Sequence, residues 1–343
     1  MLPFLGDQFG NPSGAHAMAR AARTAIEDAR EVVAGALGCA PGEVVFTSGG
    51  TEADNLAVAG VRAERRVCSA VEHHAVLHAV EHAGGAVVPV DDAGVIVLDA
   101  LDARADFVSV MLANNETGVL QPLDAVRERV PDAVLHTDAV AAFNWVDVAA
   151  VAAVADLISV SAHKFGGPKG VGALVVRDRV SLDPILRGGG QERERRAGTH
   201  NVAGIVAMAA AAAAAVRDRD ATVARTAAMR DQMAAMILGS TRNAVVTAER
   251  APRCAATLHL QVAGVESESL LILLDDLGVC ASAGSACASG ALEASHVLRA
   301  MGVDDEWAKG ALRLSLGWST TAADIDAAIV AVPKAIEMLR ASA

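Results

Sequence analysis

Lys164 closes an apolar run, Leu-Ile-Ser-Val-Ser-Ala-His-Lys (157–164), and a Gly-rich loop follows it, Phe-Gly-Gly-Pro-Lys-Gly-Val-Gly (165–172). A charge at the end of a buried strand is costly unless it is paired or its pKa falls. A lysine so placed is a candidate nucleophile that condenses with an aldehyde. A solvated strand end is the alternative. Upstream, Glu43 to Phe46 reads as a short buried strand that enters Thr-Ser-Gly-Gly-Thr-Glu-Ala-Asp-Asn (47–55), where a helix opens. Strand, glycine pair, hydroxyl and helix form an anion-binding arrangement: Gly50 lets the backbone approach, and the helix N-terminus presents free N–H groups beside Thr51. The same residues also serve as ordinary caps.

The elements that position these groups alternate. A helix over Ser13 to Leu37 is stopped by Gly38. Strands are expected at 66–71, 86–90, 106–112, 133–137, 157–161 and 172–176, and helices at 51–64, 73–83 and 122–129. Apolar strands separated by helices imply an α/β fold with a mostly parallel sheet covered on both faces. Ligands then sit beyond the carboxyl ends of the strands. Those ends carry Gly50-Thr51, Glu72-His73-His74, Asn114-Asn115-Glu116, Asp138 and Ser161-Ala162-His163-Lys164. Five consecutive polar strand ends are hard to assign to separate accidents of capping.

A long helix at 202–238, broken near Arg219-Asp220, leads into a different pattern. Strands at 244–247, 256–262, 279–283 and 311–316 alternate with helices at 266–277, 294–301 and 322–340, a smaller α+β domain. The expected division is a large domain over 13–205 and a small one over 206–343 joined by 1–12. The loop 187–201 carries four arginines and reads as an anion or subunit contact, or as a solvated loop.

The 343 residues are 53% hydrophobic, enough for a sizeable core, and the net charge of −12 without a basic run excludes a nucleic-acid-binding module. No apolar run reaches membrane-spanning length, and residues 1–10 lack the basic start of a signal peptide. Five cysteines without a framework spacing read as free thiols in a reducing cytoplasm; Cys39, Cys68, Cys254 and Cys280 read as small buried hydrophobes. His296 and Cys287 are too few and too far apart for a metal site.

One cofactor accounts for the strand ends. Pyridoxal 5'-phosphate needs a lysine for its aldehyde, a carboxylate on its ring nitrogen, a phosphate cradle and a planar group on its ring. Lys164, Asp138, the set Gly50, Thr51, Ser161 and His163, and His73 supply these in turn, with Asn115 for the ring hydroxyl.

The sequence resembles the cysteine desulfurases of the NifS/IscS type, class V aminotransferase-like enzymes of pyridoxal-phosphate fold type I. The resemblance rests on Phe-Gly-Asn-Pro-Ser (9–13), the stretch 46–55, Glu-His-His-Ala-Val (72–76) and Asn-Asn-Glu-Thr-Gly (114–118). It continues with His-Thr-Asp-Ala (136–139), Ser-Ala-His-Lys-Phe-Gly-Gly-Pro-Lys-Gly (161–170), Gly-Gly-Gly-Gln-Glu-Arg (188–193) and Arg-Ala-Gly-Thr (196–199). Ser-Ala-Gly-Ser-Ala-Cys-Ala-Ser-Gly (282–290), Ser-His-Val-Leu-Arg-Ala-Met-Gly (295–302) and Leu-Arg-Leu-Ser-Leu-Gly (312–317) complete it.

The resemblance implies a seven-stranded large domain and a small C-terminal domain that carries a catalytic loop. It implies that L-cysteine is converted to L-alanine and that Cys287 keeps the sulfur as a persulfide. An acceptor protein such as an iron–sulfur scaffold, or one in tRNA thiolation, then collects it. Lys164 is the implied base, His73 a proton carrier, and Arg313 the clamp on the substrate carboxylate, with Asn11 assisting. Thr199 is expected to reach the phosphate of the other subunit in a homodimer. Selenocysteine lyase, or a non-catalytic sulfur-relay scaffold, are the alternatives. Two departures stand out: the family begins with a further short segment near the substrate, and Ala141 stands where a glutamine usually contacts the ring hydroxyl.

Overall fold

The structure, a computed structural model, describes residues 1–284 and 295–342. The chain divides into two compact units, neither of them continuous in sequence. The first is Met1–Val88, Leu98–Leu112 and Gln121–Arg219; the second is Pro89–Val97, Ala113–Leu120 and the chain from Asp220 onward.

The first unit is built on seven strands: β1 (Val44–Thr47), β2 (Arg66–Ser69), β3 (Ala86–Val88), β4 (Phe107–Ser109), β5 (Val134–Asp138), β6 (Leu157–Ser161) and β7 (Gly172–Val176). Their order is β1-β7-β6-β5-β4-β2-β3. Neighbours from β3 to β6 are parallel. Only β7 is reversed, antiparallel to both β6 and β1. Every strand except β7 therefore delivers its carboxyl end to one edge. Strands β6 and β7 are buried along their whole length, which explains their near-continuous apolar sequences. The expected strand 106–112 is shorter as a ladder, yet Val110 and Leu112 still donate to the carbonyls of His136 and Asp138.

Helix α1 (Ala17–Leu37) buries Ala19, Ala22, Ile26, Ala29, Val33 and Leu37, a stripe at three- and four-residue spacing. It starts later than Ser13 because side chains hold the preceding turns. Asn11 Oδ1 accepts the Ser13 N–H at 3.0 Å, and His16 Nδ1 caps the helix through the Ala19 N–H at 3.2 Å. Gly38, at φ 63°, ends it in the left-handed region as expected. Helices α2 (Gly50–Gly60), α3 (His74–His82), α4 (Leu123–Arg129) and the short α5 (Val148–Val151) cover the sheet. Leu56, Ala57 and Val76 of the first two pack with Phe107, Leu157 and Leu174 of the strands.

Helix α6 (Val202–Ser240) is one uninterrupted helix, contrary to the break expected at Arg219-Asp220. The charge that signals a break is paired instead: Arg219 Nη1 lies 3.2 Å from Asp147 Oδ1.

The second unit has a three-stranded antiparallel sheet of β8 (Ala244–Val246), β9 (Thr257–Val262) and β10 (Ala311–Ser315), in the order β10-β9-β8. Helices α7 (Ser267–Asp276), α8 (His296–Ala300), α9 (Asp305–Lys309) and α10 (Ala322–Ser342) accompany it. Leu258, Leu260, Leu270, Leu274, Leu312, Val332 and Ile336 form its core with Met233 and Ile237 of α6. The expected strand 279–283 is only an isolated bridge between Ser282 and Arg313. Cys280, in that stretch, is exposed rather than a buried hydrophobe, because no ladder draws its segment into the sheet. Cys39 is half-buried, and Cys68 and Cys254 are buried.

Candidate active site

Asp138 closes β5 and is 4% exposed. Its Oδ1 accepts the Val140 N–H at 2.8 Å. Burial pushes this carboxyl up to about 6, against the Val140 N–H and the positive charge of Lys164, which pull it down. An ionised carboxylate accepts about four hydrogen bonds, so Asp138 retains capacity for a cationic N–H at the strand end.

One strand away, Ser161 closes β6, and its Oγ lies 2.9 Å from His163 Nδ1. A Cβ on Gly49 would face Ser161 Oγ at 3.7 Å, and one on Gly50 would stand 2.8 Å from Val140 Cγ2. The start of α2 therefore lies against the ends of both β5 and β6. The first N–H groups of a helix have no intrahelical partner, and Thr51 adds a hydroxyl in the same turn. Gly172, the first residue of β7, sits between these loops. A Cβ there would lie 2.6 Å from the Val160 carbonyl oxygen and 2.8 Å from Gly49.

The strand stays buried through Ala162, after which the short 3₁₀ turn Ala162–Lys164 brings Lys164 to the surface. Lys164 is thus exposed, not the buried ammonium the sequence implies. Its carbonyl accepts from Asn144 Nδ2 at 3.1 Å. His73 caps α3: its Nδ1 accepts the Ala75 N–H at 3.1 Å, which places the ring proton of the neutral imidazole on Nε2.

Thr199 is exposed in the 187–201 loop. Arg196 ties that loop to α2 through Glu52, Nε to Oε1 at 2.7 Å. Deeper in the loop, Glu192, Arg193 and Glu194 all hold positive φ, at 49°, 56° and 65°. Such non-glycine backbone persists only where its surroundings enforce it. Here the buried Glu192 carboxylate accepts from Arg30 Nη1 and Nη2 at 2.8 and 2.9 Å, and from the Phe46 N–H at 2.9 Å. His200 Nε2 lies 2.7 Å from its other face. Burial alone would raise this carboxyl, but the bonds from Arg30 and His200 prevail and hold it at about 2.

Asn11 is exposed in the first unit. Asn115 and Arg313 belong to the second, where Arg313 Nη1 donates to the Asn115 carbonyl at 3.0 Å. Arg313 and Ser282 also exchange backbone hydrogen bonds. Cys287 lies outside the described residues.

Sequence reasoning passed over a second set of polar groups. His136, two residues before Asp138 on β5, is fully buried, and both of its ring nitrogens meet hydroxyls: Nδ1 and Ser109 Oγ at 2.8 Å, Nε2 and Ser159 Oγ at 2.9 Å. Asp54 Oδ1 lies 3.7 Å from His136 Nε2. The signal available was a histidine directly after the apolar Val134-Leu135 pair of β5. The Arg30–Glu192 clamp was also missed, its partners being far apart in the chain.

The residues fit pyridoxal phosphate. The start of α2 packs so closely that a side chain on Gly50 would press on Val140, and it faces Ser161, whose Oγ meets His163 Nδ1, an arrangement that suits a phosphate cradle. A buried carboxylate that lacks a full set of donors suits a protonated ring nitrogen.

Residues 1–328 match the model of the aminotransferase class-V family. A cysteine desulfurase IscS of Dictyoglomus turgidum is 40% identical over 99% of this chain and 91% of its own length. An IscS-like cysteine desulfurase of Mycobacterium tuberculosis is 42% identical over 97% of this chain and 91% of its own. Among solved structures, a NifS-like protein superposes with a TM-score of 0.88 at 32% identity, covering 98% of this chain and 94% of that one. The NifS-like protein of Rickettsia africae does so with 0.89 at 29% identity. By these matches and by its strand-end residues, the chain belongs to the pyridoxal-phosphate-dependent class V aminotransferase family, among its cysteine desulfurases.

Proposed function

We propose that this protein converts L-cysteine to L-alanine and passes the sulfur to an acceptor protein. The observation that carries the reading is the meeting of Asp138, Ser161, His163 and the Gly49-Gly50-Thr51 turn at one sheet edge, with Lys164 in the next turn. When bound, the cofactor supplies an aldehyde for the substrate amine and a ring that accepts the Cα electrons.

The chain's own residues do the rest. Gly50, Thr51, Ser161 and His163 hold the phosphate, and Asp138 holds the proton on the ring nitrogen. His73 stacks on the ring, and Asn115 serves the ring hydroxyl. Arg313, a guanidinium fork suited to a carboxylate, fixes the substrate with help from Asn11. Lys164 Nζ takes the Cα proton. The Cys287 thiolate then attacks the substrate sulfur: a sulfur–sulfur bond forms, the carbon–sulfur bond breaks, and its electron pair stays with the carbon, which is protonated to give alanine. His73 is the proton carrier of the reaction. Thr199 reaches the cofactor phosphate of a second copy, so the active form is a homodimer. The unit built on the seven-stranded sheet, to which 1–12 and 206–219 belong, binds the cofactor, and the unit from Asp220 onward carries the cysteine. Iron–sulfur scaffolds or tRNA-thiolation proteins are the acceptors, and the setting is the cytoplasm. Among the described residues, no helix is long and apolar enough to cross a membrane.

Cys287→Ser is expected to keep the cofactor's near-visible absorbance while sulfide and alanine production from L-cysteine stops. Lys164→Ala is expected to lose the borohydride-sensitive band. Sustained turnover in Cys287→Ser without added reductant would refute the persulfide route.

A further inference from the structure

Residues Ala113–Leu120 come long before the bulk of the second unit in the chain, yet they belong to it. Their turn is held from within. Asn114 Oδ1 accepts the N–H groups of Glu116 and Thr117, both at 2.9 Å, and the Thr117 hydroxyl at 3.1 Å. The Asn114 carbonyl accepts the Gly118 N–H at 2.9 Å. The turn is a fixed platform that does not depend on the Glu116 side chain, and Glu116 stands on it only 1% exposed.

The Glu116 carboxyl meets the chain on both sides of the stretch that carries Cys287. That stretch leaves the described residues after Gly284 and re-enters them at Ser295. The Ser295 hydroxyl donates to Glu116 Oε2 at 2.5 Å. A Cβ on Gly284 would stand 3.0 Å from the same oxygen and 3.7 Å from Ser295 Cβ, so both ends pack at one carboxyl.

Each end is also tied to something else. Ser295 Oγ accepts the Val297 N–H at 3.1 Å and so caps α8. The Gly284 carbonyl accepts from Ser282 Oγ at 2.9 Å, and Ser282 exchanges backbone hydrogen bonds with Arg313. Arg313 Nη1 in turn donates to the carbonyl of Asn115, the neighbour of Glu116. The contacts close a circuit: Arg313, Ser282, Gly284, Glu116, Asn115 and Arg313 again.

A carboxyl is a costly group to bury, and neither the turn nor the cap of α8 calls for one. What it adds is a fixed relation between Arg313 and the two ends of the Cys287 stretch. Joining the ends of a stretch of chain limits where its middle can go.

We propose that Glu116 is a positioning residue that ties both ends of the Cys287 stretch to the Arg313 clamp, so that the thiol is presented to a substrate anchored by its carboxylate. This rests on the assignments of Cys287 as sulfur acceptor and Arg313 as clamp.

The test compares Glu116→Ala, Glu116→Gln and Ser295→Ala with the wild type on L-cysteine and on L-alanine, which has the carboxylate but no sulfur. Glu116→Ala is expected to lower kcat for L-cysteine by roughly 10- to 100-fold. L-Alanine, titrated against the cofactor's absorbance, should bind with unchanged affinity, because it makes no use of the thiol. Glu116→Gln keeps an acceptor oxygen for Ser295 and should retain most of the turnover. Hydrogen–deuterium exchange in the peptides that end at Gly284 and begin at Ser295 should quicken in Glu116→Ala and not in Glu116→Gln. The double variant Glu116→Ala/Ser295→Ala should be no slower than the slower single variant. Wild-type kcat in Glu116→Ala overturns the inference. So does an alanine affinity that falls as far as kcat, or losses that add in the double variant. Should Glu116→Ala not fold, Ser295→Ala decides, and wild-type kcat with wild-type exchange there overturns the inference. Failure of the underlying reading looks different: the wild type itself does not turn over L-cysteine, or Cys287→Ser sustains turnover.

Discussion

Two buried carboxylates, Asp138 and Glu192, are driven in opposite directions by what surrounds them. Asp138 is pushed up to about 6, so it takes a proton as the pH falls through that value. Cofactor affinity is therefore expected to weaken below about pH 6, approaching tenfold per pH unit. Asp138→Asn should bind the cofactor poorly at every pH and lose this dependence, as equilibrium dialysis against pyridoxal phosphate would report. Glu192 is held at about 2 against an ordinary 4.5. A depressed acid stabilises the fold above its ordinary range, and that contribution disappears as the pH falls from about 4.5 to about 2. The amount is on the order of 3 kcal/mol. Glu192→Gln should unfold at a lower temperature at neutral pH, with its deficit closing towards pH 2. At this scale the sequence was legible wherever a polar residue closed a strand with a local signature, as Asp138 and Ser161 do. It was silent on Glu192, because the Arg30 that accounts for its burial lies on α1, a contact only the tertiary fold creates.

At the scale of elements, glycine separates close approach from mere freedom. Gly172→Ala places a methyl against the Val160 carbonyl and the Gly49 backbone. Backbone does not yield as a side chain does, so the substitution is expected to cost about 1–3 kcal/mol and to spread the cradle. Calorimetry should register the first effect and cofactor retention through gel filtration the second. Gly35, exposed in the middle of α1 with open space around it, predicts the reverse: Gly35→Ala should stabilise by about 0.5–1 kcal/mol. Element types were readable from periodicity, and β6 and β7 fall where the apolar runs end. Boundaries failed where side chains intervene, as Asn11 and His16 delay α1. Long-range pairing also displaced them: Arg219 meets Asp147 and α6 continues. Lys164 and Cys280 were misjudged for one reason. An apolar neighbourhood in sequence does not bury a side chain once the backbone leaves the ladder.

At the scale of the whole molecule, the second unit is completed by segments drawn from the middle of the chain. Val119 bridges Arg253, and the Leu120 N–H donates to the Pro252 carbonyl at 2.9 Å. A fragment from Asp220 to the end lacks these partners. It is expected to unfold with a smaller denaturant slope and a lower midpoint than the same unit in the full chain, read by circular dichroism in urea. The reversed strand β7 bears on synthesis. Strand β1 leaves the ribosome early, but among the described residues its sole neighbour in the sheet is β7, and Thr47 waits for Gly172. Until then its edge is bare, and the glycine turn beyond it has no opposite wall. A nascent chain arrested before Gly172 should be unable to retain pyridoxal phosphate, so cofactor capture is a late event in the birth of this protein.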